Sequence, residues 1–455
     1  MNNLSATNDQ PLTEREGARP LRILLLAQMV VYPADAGPKV KTLQVLRRLA
    51  ARHEISYCAF ARTPTEHRQA ESLRSLCHRI ETVQLSRSRL GDMGYLAASL
   101  LSGDSFLLRR DDRAAMRAMV RRILSEEGIE VIHVDQLNMM QFVPSEWDGP
   151  VVLDEHNAVW LRVERLHDHA PDPIRRWLLG REARLIRAAE AEACRRARVV
   201  LAVSDEDRDA LHAISGDEAN IVVAPIAVDV SRYATIRAAR AAQPHRLLTI
   251  GTMFSPPNSE GVAWWLREGY ELLRALHPQV TYDIVGPRPP TSLRTLASRH
   301  PGVRVHGYVA DPAPFWTGAS VLAVPLLSGG GVRVKILEAM AGGVPIVSTA
   351  IGCEGLAARA GEHLLVADTP AAFAEACARL LADDALARRL AENAYQFVLD
   401  HYDACVALAP LDEAYAAITL DGAAPGQTGE RTVRTSAHVA RGRIAHTPGP
   451  GRVLP

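Results

Sequence analysis

Ala319-Ser-Val-Leu-Ala-Val-Pro-Leu-Leu-Ser-Gly-Gly-Gly-Val-Arg-Val-Lys-Ile-Leu-Glu-Ala-Met-Ala-Gly-Gly-Val-Pro-Ile-Val-Ser-Thr349 reads as strand, glycine loop, helix and strand in succession. A buried strand ends at Leu327 and gives way to Gly329, Gly330 and Gly331, whose missing side chains let the backbone approach a ligand closely. A helix then opens, and its N-terminal amides attract phosphate. Arg333 and Lys335 stand at that opening as two cations for two phosphates, Arg333 reaching from the loop or first turn. Glu338 lies three residues past Lys335 on the same helical face, where a carboxylate accepts hydrogen bonds from both hydroxyls of a ribose. A flexible turn and a surface Lys–Glu pair would explain the glycines alone, but not the strand, both cations and the carboxylate together. No Gly-Lys-Ser/Thr follows the glycines, so this is not a Walker loop.

The same alternation extends in both directions. Leu21 to Ala27 is a continuous apolar run, followed by a loop with Pro33, Gly37 and Pro38, a helix-period stretch from Val40 to Ala51 and a second run, Ile55 to Phe60. Buried parallel strands joined by crossover helices have this pattern. Further strands are predicted at Ile80 to Leu85, Val131 to Val134, Val151 to Asp154, Val199 to Val203 and Ile221 to Val223. A second set covers Arg246 to Ile250, Thr281 to Val285, Val303 to His306, Val321 to Val324, Val344 to Val347 and Leu364 to Val366. The predicted fold is therefore α/β, with two Rossmann-like doubly wound domains facing each other across a cleft. Residues 21–223 form the first domain, 224–244 a proline-flanked linker and 245–420 the second domain, whose final helix packs back on the first. Residues 1–20 and the Gly/Pro/Thr/Arg-rich 421–455 read as disordered ends.

Net charge +0 and a pI near 7.3 leave no global field to recruit nucleic acid, so any bound anion needs a local site. Of 52 basic residues only Lys39, Lys41 and Lys335 are lysines, and all three lie in glycine-containing segments that lead into helices. A compact ammonium in so arginine-rich a chain marks a place where a planar fork is not wanted. The six cysteines show no metal or redox spacing, which excludes a structural zinc and points to a reducing cytoplasm. The polar stretch through Pro20 and the short run after it do not resemble a signal peptide, and no apolar stretch approaches the roughly 20 residues of a membrane span.

With these segments in hand, the chain resembles the family 4 glycosyltransferases of the B-type double-Rossmann fold, in particular bacterial sugar transferases of exopolysaccharide clusters. The resemblance runs from about Leu21 to Tyr402 and rests on Gly251-Thr-Met-Phe-Ser-Pro-Pro-Asn258, Asp283-Ile-Val-Gly286, His306-Gly-Tyr-Val309 and the run from Gly330 to Gly355. It implies a nucleoside diphosphate sugar on the C-terminal domain, with Gly251, Thr252, Ser328, Gly330, Gly331, Arg333, Lys335 and Glu338 as donor-site positions. Many relatives carry a glutamate eight positions before the residue matching Glu338; here that position is Gly330, so Ser328 or backbone amides are expected to replace its contact to the sugar.

In the N-terminal half, His156 and Asn157 follow the strand Val151 to Asp154 at its carboxyl end, where an open sheet places ligands. Family members often have a histidine there near the donor sugar, so His156 joins Arg333 and Lys335 as a catalytic candidate. Gly37, Lys39, Lys41 and Asn157 are the acceptor-side candidates. Asp205-Glu-Asp207 spells a metal-binding Asp-x-Asp, yet Ser204 with Asp207 three residues on reads as a helix cap. No metal or cofactor is expected. Residues 87–124, arginine-rich with apolar groups, fit either a surface helix packed on the core or peripheral docking on the inner face of the membrane. The expected activity is retaining, metal-independent transfer of a sugar to a glycan or lipid-linked acceptor in cell-surface polysaccharide synthesis. A nucleotide-sugar epimerase on the same fold and a catalytically silent nucleotide-binding partner are the alternatives, and the latter fits poorly with intact Arg333, Lys335 and Glu338.

Overall fold

The computed structural model of the protein describes residues 19–34, 36–240, 243–329 and 332–422. Most of the expected disordered ends, and Gly330 and Gly331, lie outside the described residues. Seven strands form the first sheet: β1 (Arg22–Ala27), β2 (Glu54–Ala61), β3 (Arg79–Gln84), β4 (Val131–Asp135), β5 (Val151–Asp154), β6 (Val199–Ala202) and β7 (Ile221–Val223). Six form the second: β8 (Arg246–Ile250), β9 (Thr281–Val285), β10 (Val303–Gly307), β11 (Val321–Val324), β12 (Ile346–Ser348) and β13 (Leu365–Val366). The orders are β3-β2-β1-β4-β5-β6-β7 and β10-β9-β8-β11-β12-β13, with every pairing parallel. In each sheet the winding reverses beside the first strand, between β1 and β4 and between β8 and β11. A crevice opens there at the carboxyl ends of the strands.

Both faces of each sheet are covered, which is why the strands are apolar throughout rather than alternating. Along β1, Leu24 and Leu26 face a core with Met116, Val120 and Ile123, while Ile23 and Leu25 face one with Leu43 and Leu46. That second core also contains Leu411, Ala414, Tyr415 and Ile418 of the last helix, Ala409–Gly422. The chain thus returns from the C-terminal domain to close the N-terminal one. Leu411 and Ile418 each contribute on the order of 1.5–3 kcal/mol of burial, and Arg48 with Asp412 and His133 Nδ1 with Tyr415 OH (3.0 Å) fix the register. The returning segment runs beside the linker, Val228 N donating to Tyr402 O (2.8 Å) and Ala404 N to Val228 O (3.1 Å).

The linker is more ordered than its weak sequence pattern suggests. It contains the helix Val230–Ala238, whose first turn is capped by Asp229 and whose Val230, Tyr233 and Ile236 pack on the second domain. Its short length hides the periodicity. The strand expected from Val344 begins instead at Ile346, because Val344 N bonds back to Ala339 O (2.8 Å) to end the preceding helix. No described helix is long and apolar enough to cross a membrane.

Candidate active site

The C-terminal half of the site is built where β8 and β11 end. Helix Val334–Ala341 starts just after the glycine loop, with Arg333 as its N-cap residue. Lys335 donates from Nζ to Asn258 Oδ1 (2.7 Å), and the Asn258 amide in turn donates to Thr252 O (3.0 Å). A Cβ at Gly251, whose φ is 155°, would lie 3.1 Å from Lys335 Nζ, so only glycine leaves room for an ammonium and a ligand there. Gly329 has φ 110°, and a Cβ on it would come within 3.0 Å of the Arg333 guanidinium. Burial first, then Arg333, push Lys335 down to about 7 against the pull of Glu338. Burial also lowers Arg333. Two cations held this close in a partly dry site suit an anionic ligand. Burial raises the Glu338 carboxyl, opposed by a hydrogen bond from the Tyr233 hydroxyl of the linker helix.

The N-terminal half faces it across a cavity of about 330 Å³, lined by Asn157, Leu161, Arg162 and Ser204 on one side and Gly329, Val332 and Glu354 on the other. Gly37 opens the first helix, Gly37–Ala50, close enough to the opposite domain that a Cβ on it would lie 3.7 Å from Val334. Behind this surface lies a buried polar network. Lys41 is hydrogen-bonded to Asp154, His156 Nε2 stands 2.9 Å from Asp135 Oδ1, and Thr42 Oγ1 donates to the same Asp135 oxygen (2.9 Å). All five are buried. The Lys41 ammonium holds Asp154 well below the usual carboxylate range despite its burial. Burial, and then Glu190, push the Glu155 carboxyl well above its usual range. Asp135, Asp154 and His156 offer ligand atoms within 4.8 Å of one another, a spacing that suits a metal ion. Lys41 already supplies a positive charge at Asp154, and a divalent ion beside it would meet repulsion.

Similarity to known proteins follows this geometry. A family model described as Glycosyltransferase Family 4 matches residues 37–232, and one described as Glycosyl transferases group 1 matches residues 244–383. The two meet at the linker and between them cover both domains. The chain belongs to the family 4 glycosyltransferases. An uncharacterized 44.6 kDa protein in the cps region of Klebsiella pneumoniae is 27% identical over 165 residues, 34% of this chain and 42% of that protein's length. The match therefore spans less than half of that relative. Among solved structures, HepE of Anabaena in complex with UDP and glucose superposes with a TM-score of 0.61 at 15% identity, covering 87% of this chain and all of that one. Sucrose-phosphate synthase from Thermosynechococcus elongatus gives a TM-score of 0.64 at 18% identity over 88% of this chain and 100% of its own. WaaG, a glycosyltransferase involved in lipopolysaccharide biosynthesis, gives 0.58 at 16% identity over 87% and 99%. These structures share the B-type fold of this family 4 glycosyltransferase.

Within this family 4 chain the structure brings Gly251, Thr252, Arg333, Lys335 and Glu338 to one crevice end and sets Gly37 and Asn157 across from them, while His156 is buried beneath that surface against Asp135. Ser328 is exposed at the loop beside Gly329. Lys39 sits at the start of the first helix, partly buried. Lys41 is a correction: at 1% exposure, with its ammonium on Asp154, it lies beneath the cleft surface of the N-terminal domain and braces it. Asp207 accepts from Ala158 N (2.8 Å) while Ser204 caps its helix through Asp207 N (3.1 Å), so that carboxylate is used within the fold. Asn258, Tyr233, Asp135 and Asp154 were not named as site residues from sequence. The signal for Asn258 was its position at the end of the Gly251–Asn258 segment.

Proposed function

We propose that this glycosyltransferase moves a sugar from a nucleoside diphosphate sugar to a glycan or lipid-linked hydroxyl, without a metal and with retention, in cell-surface polysaccharide synthesis. The observation that carries the reading is the pair Arg333 and Lys335 at a helix N-terminus, with Asn258 orienting the ammonium and Glu338 one turn on. When the bond from the sugar's C1 to the diphosphate breaks, its electron pair leaves with the diphosphate, and both cations and the helix amides stabilise that charge. The acceptor oxygen bonds to C1 and gives up its proton; on a retained face the nearest base is the departing phosphate itself. Retention follows the family resemblance. Metal independence is supported by Lys41 beside Asp154 and by the capping role of Asp207. The cps-region relative is compatible with an envelope role.

Peripheral membrane contact belongs to the same proposal, in a revised place. In the stretch 87–124, the helix Ala114–Glu127 buries Met116, Val120 and Ile123 in the core and is not a docking surface. Helix Arg89–Ser102 buries only Ser99 and exposes Leu90 (82%), Met93 (67%) and Leu101 (90%). Arg181 donates to Ser99 O (2.5 Å) and joins it to the helix Pro173–Arg196, which exposes Ile174, Trp177, Arg175, Arg176 and Arg184. Apolar groups ringed by arginine suit an anionic, inner-face bilayer. Vesicle flotation tests this: binding to anionic but not neutral vesicles, lost in Leu101→Glu, is expected, and equal recovery with both lipids refutes it. The activity itself is tested by uridine diphosphate and guanosine diphosphate release from the corresponding sugars with membrane extract as acceptor source, with and without EDTA. Activity abolished by EDTA and restored by manganese would overturn metal independence. Epimerised sugar nucleotide without nucleotide release would favour the epimerase.

A further inference from the structure

A second cavity, of about 550 Å³, lies outside the interdomain cleft and has the size of a small-molecule site. Its walls are the short helix Val159–Asp168 and the long helix Pro173–Arg196 that follows it. The short helix supplies Trp160, Glu164 and His167, which are spaced to share one face. Leu161, Arg162 and Arg165 of the same helix point the other way and line the interdomain cavity. One helix, roughly 10 Å thick, thus separates the two spaces. Hydrogen bonds hold this wall in place, Val159 N and Trp160 N both donating to the buried Glu190 carboxylate of the long helix (2.7 Å and 2.7 Å). Gly180 lets the two helices approach, since a Cβ there would lie 3.0 Å from the His167 ring.

The long helix lines the cavity with Arg176, Arg181, Arg184 and Arg187, against the single carboxylate of Glu164. Arg181 is engaged with Ser99, donating to its carbonyl at 2.5 Å. The other three make no ion pair among the described residues. Arg176 and Arg184 reach only the backbone carbonyls of Ala170 (3.3 Å) and Gly180 (3.4 Å), and the Arg187 guanidinium stands 5.0 Å from the Trp160 ring. A concave wall with this excess of cations focuses a positive field, and convergent guanidiniums suit the oxygens of a phosphate. The lip is apolar: Trp177 lines the cavity and is exposed, and so is Ile174, one turn earlier on the same helix. Cations within and apolar groups at the mouth match a phosphate that continues into a hydrocarbon chain. An acidic sugar would use the cations but not Ile174.

We infer that this groove holds the phosphate of a lipid-linked acceptor, with Arg176, Arg184 and Arg187 on the phosphate oxygens and Trp177 and Ile174 against the start of the lipid. The sugar to be extended then lies in the interdomain cavity, on the other side of the helix Val159–Asp168. The inference rests on the transferase reading above and deepens it: the arginine-rich face carries a defined headgroup site, not only a diffuse attraction to anionic lipid.

The test uses the full chain. Uridine diphosphate is titrated first and then kept in excess, so that the donor cations are occupied. Geranyl phosphate, which stands in for the phosphate end of a lipid carrier, is next titrated by calorimetry into the parent protein, Arg184→Gln and Arg187→Gln. Geraniol, dihexanoylphosphatidylglycerol and methyl glucuronide are titrated in parallel. Geranyl phosphate should bind at least about tenfold more tightly than each of the other three, and each variant should lose roughly tenfold of that affinity while binding uridine diphosphate within about twofold of the parent. Both arginines are exposed on a helix surface, so their replacement leaves the fold intact. Geraniol binding as tightly as geranyl phosphate, or variants that match the parent, would overturn the inference. Equal or tighter binding of the phosphatidylglycerol would assign the groove to bilayer phospholipid, and of the glucuronide to an acidic glycan, and either result overturns it too. None of these outcomes touches the transferase reading, which fails instead if uridine diphosphate and guanosine diphosphate do not bind.

Discussion

Lys335 links nucleotide binding to pH in a way that can be worked out from its surroundings. Its ammonium, bonded to Asn258 and crowded by Arg333, titrates at about 7 in the free protein against an ordinary 10.5. Below pH 7 it is charged and ready for a diphosphate. Above pH 7 the free site loses that proton, while a bound diphosphate holds it on, so binding must take a proton up. Each pH unit above 7 then costs about 1.4 kcal/mol, or tenfold in affinity, as long as the bound-state pKa lies higher. Between pH 7 and 9 affinity for uridine diphosphate should fall on the order of a hundredfold. The phosphate's own titration, near 6, is complete by then and does not contribute. Calorimetry at pH 8 in buffers of different ionisation enthalpy should detect uptake of about 0.9 proton in the parent protein and almost none in Lys335→Met. The variant should bind roughly ten- to a hundredfold more weakly at pH 6.5 and approach the parent at pH 9. For folding the sign is separate: the unfolded chain binds more protons between pH 7 and 10.5, so the cost of burying this charge is full below 7 and fades as pH rises. Zero proton uptake by the parent, or equal pH slopes in both proteins, would refute a buried ammonium as the diphosphate ligand.

Glu338→Gln should weaken nucleotide binding and leave inorganic diphosphate untouched, and Tyr233→Phe should do the same by a few fold, since it removes the hydroxyl on that carboxylate; parallel losses for both ligands would mean that neither residue reads the ribose. His156→Ala should lower turnover well beyond its effect on nucleotide affinity, and Asp135→Asn should lower turnover less while keeping the fold, because Thr42 still bonds the amide oxygen; full activity in a folded His156→Ala marks the ring as structural. Lys41→Met leaves Asp154 buried without its cation and should cost about 3–5 kcal/mol in chemical denaturation. A loss under 1 kcal/mol there would show that the pair is not needed to hold the two carboxylates.

The sequence by itself determined the architecture, because parallel strands buried on both faces are continuous apolar runs and their alternation with helices admits few topologies. It also marked Arg333, Lys335 and Glu338, since residues within six positions on one helix start share a neighbourhood whatever the rest of the chain does. Partners distant in the chain leave no such trace. Asn258 reaches Lys335 across 77 residues, Lys41 meets Asp154 across 113, and Tyr233 arrives on a helix in a segment that reads as linker. Lys39 and Lys41 look alike in sequence as acceptor-side cations. A two-residue step along the first helix rotates one inward, where burial next to a carboxylate is its only stable solution. The last helix is expected from sequence to pack back on the first domain, but which of its residues meet that core is not written in its pattern. Only the tertiary structure decided that, since Leu411, Tyr415 and Ile418 fit the open face of the first sheet and tie the two domains into one chain-crossed unit.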